Sequence, residues 1–192
     1  MTTEALVGAG LVLFRMVASN PSTARAAWMS AHLINTFLLL AALTWMAASA
    51  WKPEGVRFAG STWSRRAFGV AAIAVLFVGV SGAVAALGDT LFPASSLAEG
   101  IREDFSPTSH VFLRLRIWHP VIAVLGSGYL LWLASALLAQ NDGVRLRRLG
   151  LTLGSLVLLQ IGVGLLNVWL LAPVWMQLFH LLMADATWIV LV

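Results

Sequence analysis

The sequence predicts an all-α protein, a polytopic membrane bundle with about six transmembrane helices. Hydrophobic residues make up 60% of its 192 positions and charged residues only 10%, and the mean hydropathy is +0.89. Such a composition suits a chain that is surrounded by lipid rather than by water. The apolar residues also occur in runs of about 20, which is the length of a helix that crosses a bilayer.

Six apolar runs define the predicted spans in chain order. The first run begins directly after Glu4, and the second ends before the basic residue Lys52. A long segment of mixed charge separates the third span from the fourth, whereas only a turn around Ala172 and Pro173 separates the fifth from the sixth. The six spans cover approximately residues 4–19, 26–50, 67–88, 117–139, 149–171 and 174–192.

Basic residues in two loops predict how the chain crosses the membrane. Because positively charged loops stay on the cytoplasmic side, these loops are expected there and the segment between the third and fourth spans outside. The same spread of basic residues explains the sequence pI near 11.1 without a nucleic-acid partner. The two loops are 51–66 and 140–148, and their basic residues are Lys52, Arg57, Arg65, Arg66, Arg145, Arg147 and Arg148.

Three histidines, His32, His119 and His180, lie inside predicted spans and close to the same, non-cytoplasmic end. Ionisable residues at membrane depth are costly and are usually functional. Cysteine is absent, which excludes thiolate sites and iron–sulfur clusters. The shared depth therefore suggests histidine ligands to iron, as in a membrane heme protein.

His119 and His180 are the favoured pair of heme ligands, over the alternative of hydrogen-bonded structural histidines. The short turn between the fifth and sixth spans predicts that the fourth and sixth spans are neighbours with these two rings face to face. No histidine outside the favoured pair is left as a partner for His32 at its depth, so ligation and a structural role stay equally open for it.

Four further polar residues are candidates for the site or its surroundings. Arg114 and Arg116 precede His119 and are expected either to pair with heme propionates or simply to flank the span. His110 is expected to be a solvated loop histidine. Asp185 is expected to face the bundle as a neutral or hydrogen-bonded acid, and its candidate partners are Gln160, Asn167 or a hydroxyl group.

A weak internal repeat relates the two ends of the chain. Residues 8–10 (GAG) are followed by WMSAHL with His32, and residues 162–164 (GVG) by WMQLFHL with His180. The repeat predicts equivalent positions for the two histidines. Both termini lie close to apolar runs, which suggests a portion of a longer protein, and no cleavable signal peptide is expected.

Five motifs together resemble the heme A synthase family of cytochrome oxidase assembly. Members of that family have eight transmembrane helices in two halves, and each half holds a heme through two histidines. The resemblance implies that residues 1–50 correspond to the end of the N-terminal substrate half, 51–66 to a cytoplasmic connection and 67–192 to the four-helix heme b half. The motifs are residues 31–36 (AHLINT), 87–93 (LGDTLFP), 114–120 (RLRIWHP), 160–164 (QIGVG) and 180–185 (HLLMAD).

The resemblance also implies roles for single residues. His119 and His180 match the ligands of heme b, and His32 matches the second histidine of the substrate half. The first two helices of the family, with a histidine and an outer-loop glutamate, have no counterpart in these 192 residues, so no catalytic residue is assigned.

The implied reaction is oxidation of a methyl group of heme O to the formyl group of heme A, with heme b transferring electrons. The alternatives are a heme b electron-transfer subunit or a structural subunit of a larger membrane complex. The expected partners are the lipid bilayer, heme and further subunits or copies of the chain. The expected location is the bacterial cytoplasmic membrane, with the histidines toward its non-cytoplasmic side.

Overall fold

The computed structural model describes residues 2–17, 20–51, 62–140 and 143–192. These residues form helices and no strands, which confirms the all-α membrane bundle. Lys52 and Arg57, two of the predicted topology signals, lie outside the described residues. The helices are α1 (Thr2–Leu13), α2 (Thr23–Trp51), α3 (Thr62–Leu91), α4 (Leu97–Asp104), α5 (Val111–Arg116), α6 (Trp118–Ala139), α7 (Val144–Trp169) and α8 (Val174–Leu191).

Within the described ranges, five segments are long and apolar enough to cross a membrane, and α5 and α6 together form one of them. The first predicted span differs from the expectation. Its helix α1 has 12 residues, about 18 Å at 1.5 Å per residue, which is shorter than a hydrocarbon core of about 30 Å. The helix ends in a turn in which Arg15 has a positive φ of 54° and Asn20 Nδ2 donates to the Arg15 carbonyl at 2.8 Å.

Helices α3, α6, α7 and α8 form a four-helix bundle. Helix α6 packs against α3 and α7, and α8 packs against α7 and α3, so α6 and α8 lie on a diagonal. The expectation that these two helices are direct neighbours was therefore wrong, although their histidines do face each other. Helix α1 packs on α2, and α2 in turn packs against α3 and α8.

Two small residues permit the close packing of this bundle. A Cβ atom on Gly150 of α7 would lie 2.9 Å from the carbonyl oxygen of Ala134 on α6, and one on Gly126 would lie 2.7 Å from Val78 Cγ2 on α3. Small residues at such points let helix backbones approach in a lipid environment. The close packing holds α6 between its two neighbours.

Helix α2 is joined to the bundle by two aromatic side chains. Phe37 and Trp188 stack with ring centroids 5.1 Å apart at an interplanar angle of 15°. The indole Nε1 of Trp188 also donates to the Phe37 carbonyl oxygen at 2.7 Å. Both side chains are almost completely buried, so this contact attaches α2 to α8.

A tight turn connects α7 to α8 and determines where α8 begins. Leu171 and Ala172 both have positive φ, 60° and 52°, which is unusual for residues other than glycine. The turn is held because the Ala172 N–H donates to the Asn167 carbonyl at 2.8 Å and Gln177 Nε2 donates to the Ala172 carbonyl at 2.6 Å. Helix α8 consequently folds directly back along α7.

Basic residues and histidines occupy opposite ends of the bundle. Arg65 and Arg66 lie in the first turns of α3, and Arg145, Arg147 and Arg148 lie in those of α7. Because consecutive spans alternate in direction, α3 and α7 begin at one end, whereas α6 and α8 begin at the other. The histidines near the starts of α6 and α8 are therefore far from the described basic residues of the loops.

Candidate cofactor site

His119 and His180 face each other inside the four-helix bundle. Their ring centroids are 6.4 Å apart and the ring planes are almost perpendicular, at 87°. His119 is the second residue of α6, and His180 lies two turns into α8. The diagonal arrangement of these two helices directs both side chains toward the centre of the bundle.

Each ring has a polar neighbour on the preceding long helix. His119 Nδ1 lies 3.0 Å from the hydroxyl oxygen of Ser81 on α3, and this hydroxyl donates to the Val78 carbonyl at 2.9 Å. While this hydroxyl donates to Val78, its oxygen can accept an N–H from Nδ1 of His119, and Nε2 is then the unprotonated nitrogen. A ring in this state can bind a metal through Nε2.

Gln160 of α7 holds the second ring. Its Nε2 donates to the backbone carbonyl of His180 at 3.1 Å and lies 3.4 Å from His180 Nε2. Gln160 was a candidate partner of Asp185, but it contacts His180 instead. Asp185 is partly exposed on α8 and makes no hydrogen bond to other described residues.

A glycine lies against each of the three membrane histidines. A Cβ atom would lie 3.1 Å from His119 Cε1 at Gly82, 3.0 Å from His180 Cε1 at Gly164, and 3.6 Å from His32 Cε1 at Gly8. At Gly82 and Gly164 a side chain would have to displace the ring. These two glycines thus provide the space that the paired imidazoles occupy.

Two buried polar atoms at the paired rings, His180 Nδ1 and Gln160 Oε1, have no hydrogen-bond partner among the described residues. Leaving one such group unsatisfied costs about 1–3 kcal/mol, so apolar packing alone does not explain why these residues are here. The α7–α8 side of the site can bind a further polar group.

His32 lies apart from this pair, on α2. Its Nδ1 is 3.4 Å from Glu4 Oε1 on α1. The Glu4 carboxylate also accepts hydrogen bonds from Asn35 Nδ2 and from Thr36 Oγ1 at 2.6 Å. In the described part of the chain no three His, Cys, Asp or Glu residues are grouped so that they could hold a metal ion.

The two arginines before His119 have different surroundings. Arg116 binds Asp89 through Nη1 at 2.5 Å and Asp104 through Nη2 at 2.6 Å, and its Nη2 also donates to the Gly100 carbonyl at 3.3 Å. Its donors therefore connect α3, α4 and α5, which favours the structural alternative for this residue. Arg114 is exposed, and its role toward a propionate stays a prediction.

His110 caps α5 and is packed rather than solvated. Its Nδ1 accepts the N–H of Phe112 at 3.3 Å. The ring lies between those of Phe92 and Phe112, with centroid distances of 4.8 and 4.9 Å. This packing replaces the expectation of a solvent-exposed loop histidine.

Sequence reasoning did not single out Ser81 or Glu4. Serine is common in apolar helices, and Glu4 stands at the very start of the first predicted span, where a polar residue is ordinary. A signal for Glu4 was available, because Glu4 precedes Gly8 by four residues as Gln160 precedes Gly164. Residues four apart lie on one face of a helix, so both pairs present a polar group and a glycine to a histidine.

The fold and this site define a class, an integral membrane helical bundle with a facing pair of histidines in its interior. More particularly, the chain belongs to the COX15-CtaA family of cytochrome oxidase assembly proteins, whose sequence model matches residues 1–192. The resemblance stated from the motifs is thereby confirmed.

Two curated relatives come from two strains of Thermus thermophilus, and both are named protoheme IX farnesyltransferase. Each is 43% identical to this chain over 195 residues. The match covers 100% of this chain but 32% of either relative, so the chain spans about a third of the length of these proteins. No solved structure matches this chain.

Proposed function

We propose that this protein binds a b-type heme through His119 and His180 and takes part in the oxidation of heme O to heme A. The observation that carries the proposal is the pair of facing imidazoles in the bundle interior. Membership of a cytochrome oxidase assembly family supports the same role, because the heme A synthases that the motifs resemble act in that assembly.

The two facing rings would hold a heme iron between them, because neutral imidazole is a common protein ligand of heme iron. The centroids of His119 and His180 are 6.4 Å apart.

The residues around His119 and His180 orient the two rings and shield them from water. Ser81 lies 3.0 Å from Nδ1 of His119 and would accept its N–H, and Gln160 donates to the backbone carbonyl of His180, so the two contacts help to orient the rings. Gly82 and Gly164 leave room for the two rings, and the apolar helices exclude water. A bound heme would supply the electron transfer that oxidation of a methyl group to a formyl group requires.

The name of the Thermus relatives describes a different step, transfer of a farnesyl group to protoheme IX. This chain matches about a third of those proteins, whereas the cytochrome oxidase assembly family covers all of it. We therefore assign the oxidation step to this chain and leave the farnesyl transfer to the relatives. The basic ends of α3 and α7 support an orientation with the histidines on the non-cytoplasmic side, in a membrane that we propose to be the bacterial cytoplasmic membrane.

The spectrum of the purified protein tests heme binding. We expect the low-spin spectrum of a bis-histidine heme in the wild-type protein and its loss in His119→Ala and in His180→Ala. His110→Ala is the matched control and should keep the spectrum, since His110 caps α5. Absence of a Soret band from the wild-type protein would overturn the heme b site and favour the structural subunit.

The reaction is tested by supplying heme O together with a reductant and oxygen and by identifying heme A from its mass. Formation of heme A that is lost in His119→Ala supports the oxidation. A normal bis-histidine spectrum without any heme A would instead favour the electron-transfer subunit.

A further inference from the structure

The carboxylate of Glu4 on α1 lies beside the ring of His32 on α2. Glu4 Oε1 is 3.4 Å from His32 Nδ1, and this nitrogen is buried without a hydrogen bond. A charged hydrogen bond of this kind is about 2.8 Å long, so the two atoms face each other slightly beyond bonding distance.

The carboxylate itself is held in place from α2. Asn35 Nδ2 and Thr36 Oγ1 both donate to it, and its side chain is 23% exposed. A carboxylate among apolar helices is costly unless it is paired or hydrogen-bonded. Two donors from the next turn of the His32 helix meet this requirement and direct Oε1 toward the ring.

A similar pair of residues supports His180, although Gln160 contacts the backbone carbonyl and Nε2 of His180, whereas Glu4 faces Nδ1 of His32. Glu4 and Gly8 on α1 contact His32, as Gln160 and Gly164 on α7 contact His180. The two helix pairs thus share a design in which a polar residue and a glycine, four residues apart, support one histidine. They differ in charge, because α1 supplies a carboxylate where α7 supplies an amide.

We propose that Glu4 is a positioning residue for His32: its carboxylate accepts the N–H of Nδ1 and so keeps Nε2 unprotonated as the atom that binds iron. The ring has one side toward Gly8, its Nδ1 faces Glu4, and the side chain is 35% exposed. Carboxylates that accept the second N–H of a ligating histidine fix its tautomer and raise its basicity. The ligand role of His32 rests on the proposed function, whereas the Glu4 contact does not.

The tautomer can be measured without heme. Protein labelled with ¹⁵N-histidine is reconstituted in lipid nanodiscs, and the imidazole ¹⁵N shifts of His32 are compared in the wild type, Glu4→Leu and Glu4→Gln. We expect an Nδ1–H tautomer in the wild type and a mixture of both tautomers in Glu4→Leu. Glu4→Gln keeps an acceptor and the bonding groups of the pocket, so it should retain the tautomer with a weaker hydrogen bond. An Nε2–H tautomer in the wild type, or unchanged His32 shifts in Glu4→Leu and in Glu4→Gln, would overturn the proposal.

The effect on ligation is measured with iron protoporphyrin IX as the probe. A protein that carries both His119→Ala and His180→Ala lacks the other candidate ligands, so its binding of iron protoporphyrin IX reports on His32. Loss of an outer partner of a metal ligand weakens affinity by about 10- to 100-fold, and we expect this for Glu4→Leu and a smaller loss for Glu4→Gln. Asp185→Leu, which removes a second carboxylate from an apolar helix, is the matched control and should change neither readout.

The outcomes separate this inference from the proposed function. If His32 shows the Nδ1–H tautomer but the wild-type protein lacks a bis-histidine heme, the Glu4 contact stands and the proposed function fails. If the probe binds His32 equally well with and without Glu4, the positioning role is wrong even where the heme b spectrum is intact.

Discussion

Arg114 and Arg116 are two residues apart on α5, yet only Arg116 is surrounded by carboxylates. Residues at positions i and i+2 of a helix point to different faces, so one guanidinium is directed toward Asp89 and Asp104 and the other away from them. The side chain of Arg116 is 15% exposed. Three helices, α3, α4 and α5, which follow one another along the chain, are thereby joined through one side chain.

Replacement of Arg116 by alanine leaves two partly buried carboxylates without their common partner. Breaking a buried pair costs about 3–5 kcal/mol, and partial exposure reduces this, so we expect the free energy of unfolding to fall by about 2 kcal/mol. Arg114→Ala is the control, with a loss of about 0.5 kcal/mol or less. Denaturation in mixed micelles measures both, and equal losses for the two variants would contradict the structural role of Arg116.

At the scale of the helices, close contact between α6 and α7 depends on which glycine faces the neighbouring backbone. Gly150 faces the Ala134 carbonyl, whereas a Cβ atom on Gly162 of the same helix would meet nothing within 4 Å. The two glycines are chemically identical and twelve residues apart. They differ only in whether their side of α7 is turned toward a neighbouring helix.

Gly150→Ala and Gly162→Ala should therefore have opposite effects. Alanine is favoured over glycine in a helix by about 1 kcal/mol, so Gly162→Ala should leave the protein unchanged or slightly more stable. At Gly150 the new methyl group would lie 2.9 Å from a backbone oxygen, and the helices must separate. Overpacking of this kind costs about 1–3 kcal/mol, which denaturation in mixed micelles should detect, whereas a stabilising Gly150→Ala would show that the helices are less closely packed.

At the scale of the whole molecule, the α1–α2 pair and the four-helix bundle meet where Trp188 contacts Phe37. The stacking and the indole hydrogen bond place the α2 helix, and therefore His32, relative to α8. Because both partners are almost fully buried, no other group compensates when one is removed.

Trp188→Phe should keep the ring contact and lose the hydrogen bond, with a cost of about 1 kcal/mol. Trp188→Ala also removes a buried ring and should cost about 3–5 kcal/mol. Trp175 lies on the same helix and is 62% exposed, so Trp175→Phe serves as the control with little change. Unfolding free energies that do not separate Trp188→Ala from Trp175→Phe would refute the joining role of this contact.

The sequence alone determined the class of the protein and the positions of its long helices. Apolar runs of membrane length must become helices, because lipid offers no partner for backbone N–H and C=O groups. The alternation of the spans then determined that His119 and His180 lie near one end. The contacts of the histidines were not predictable in this way. The helices are apolar on all sides, so the sequence pattern does not show which face of each helix points inward.

Only the tertiary structure decided which side chains meet. In the structure α6 and α8 lie on a diagonal, and Gln160 contacts His180 and not Asp185. Arg116 lies between the carboxylates of Asp89 and Asp104. The fold also brought Glu4 to His32 from another helix. Such pairings depend on the rotation and crossing of whole helices, which arise from packing across the bundle and not from the local order of residues.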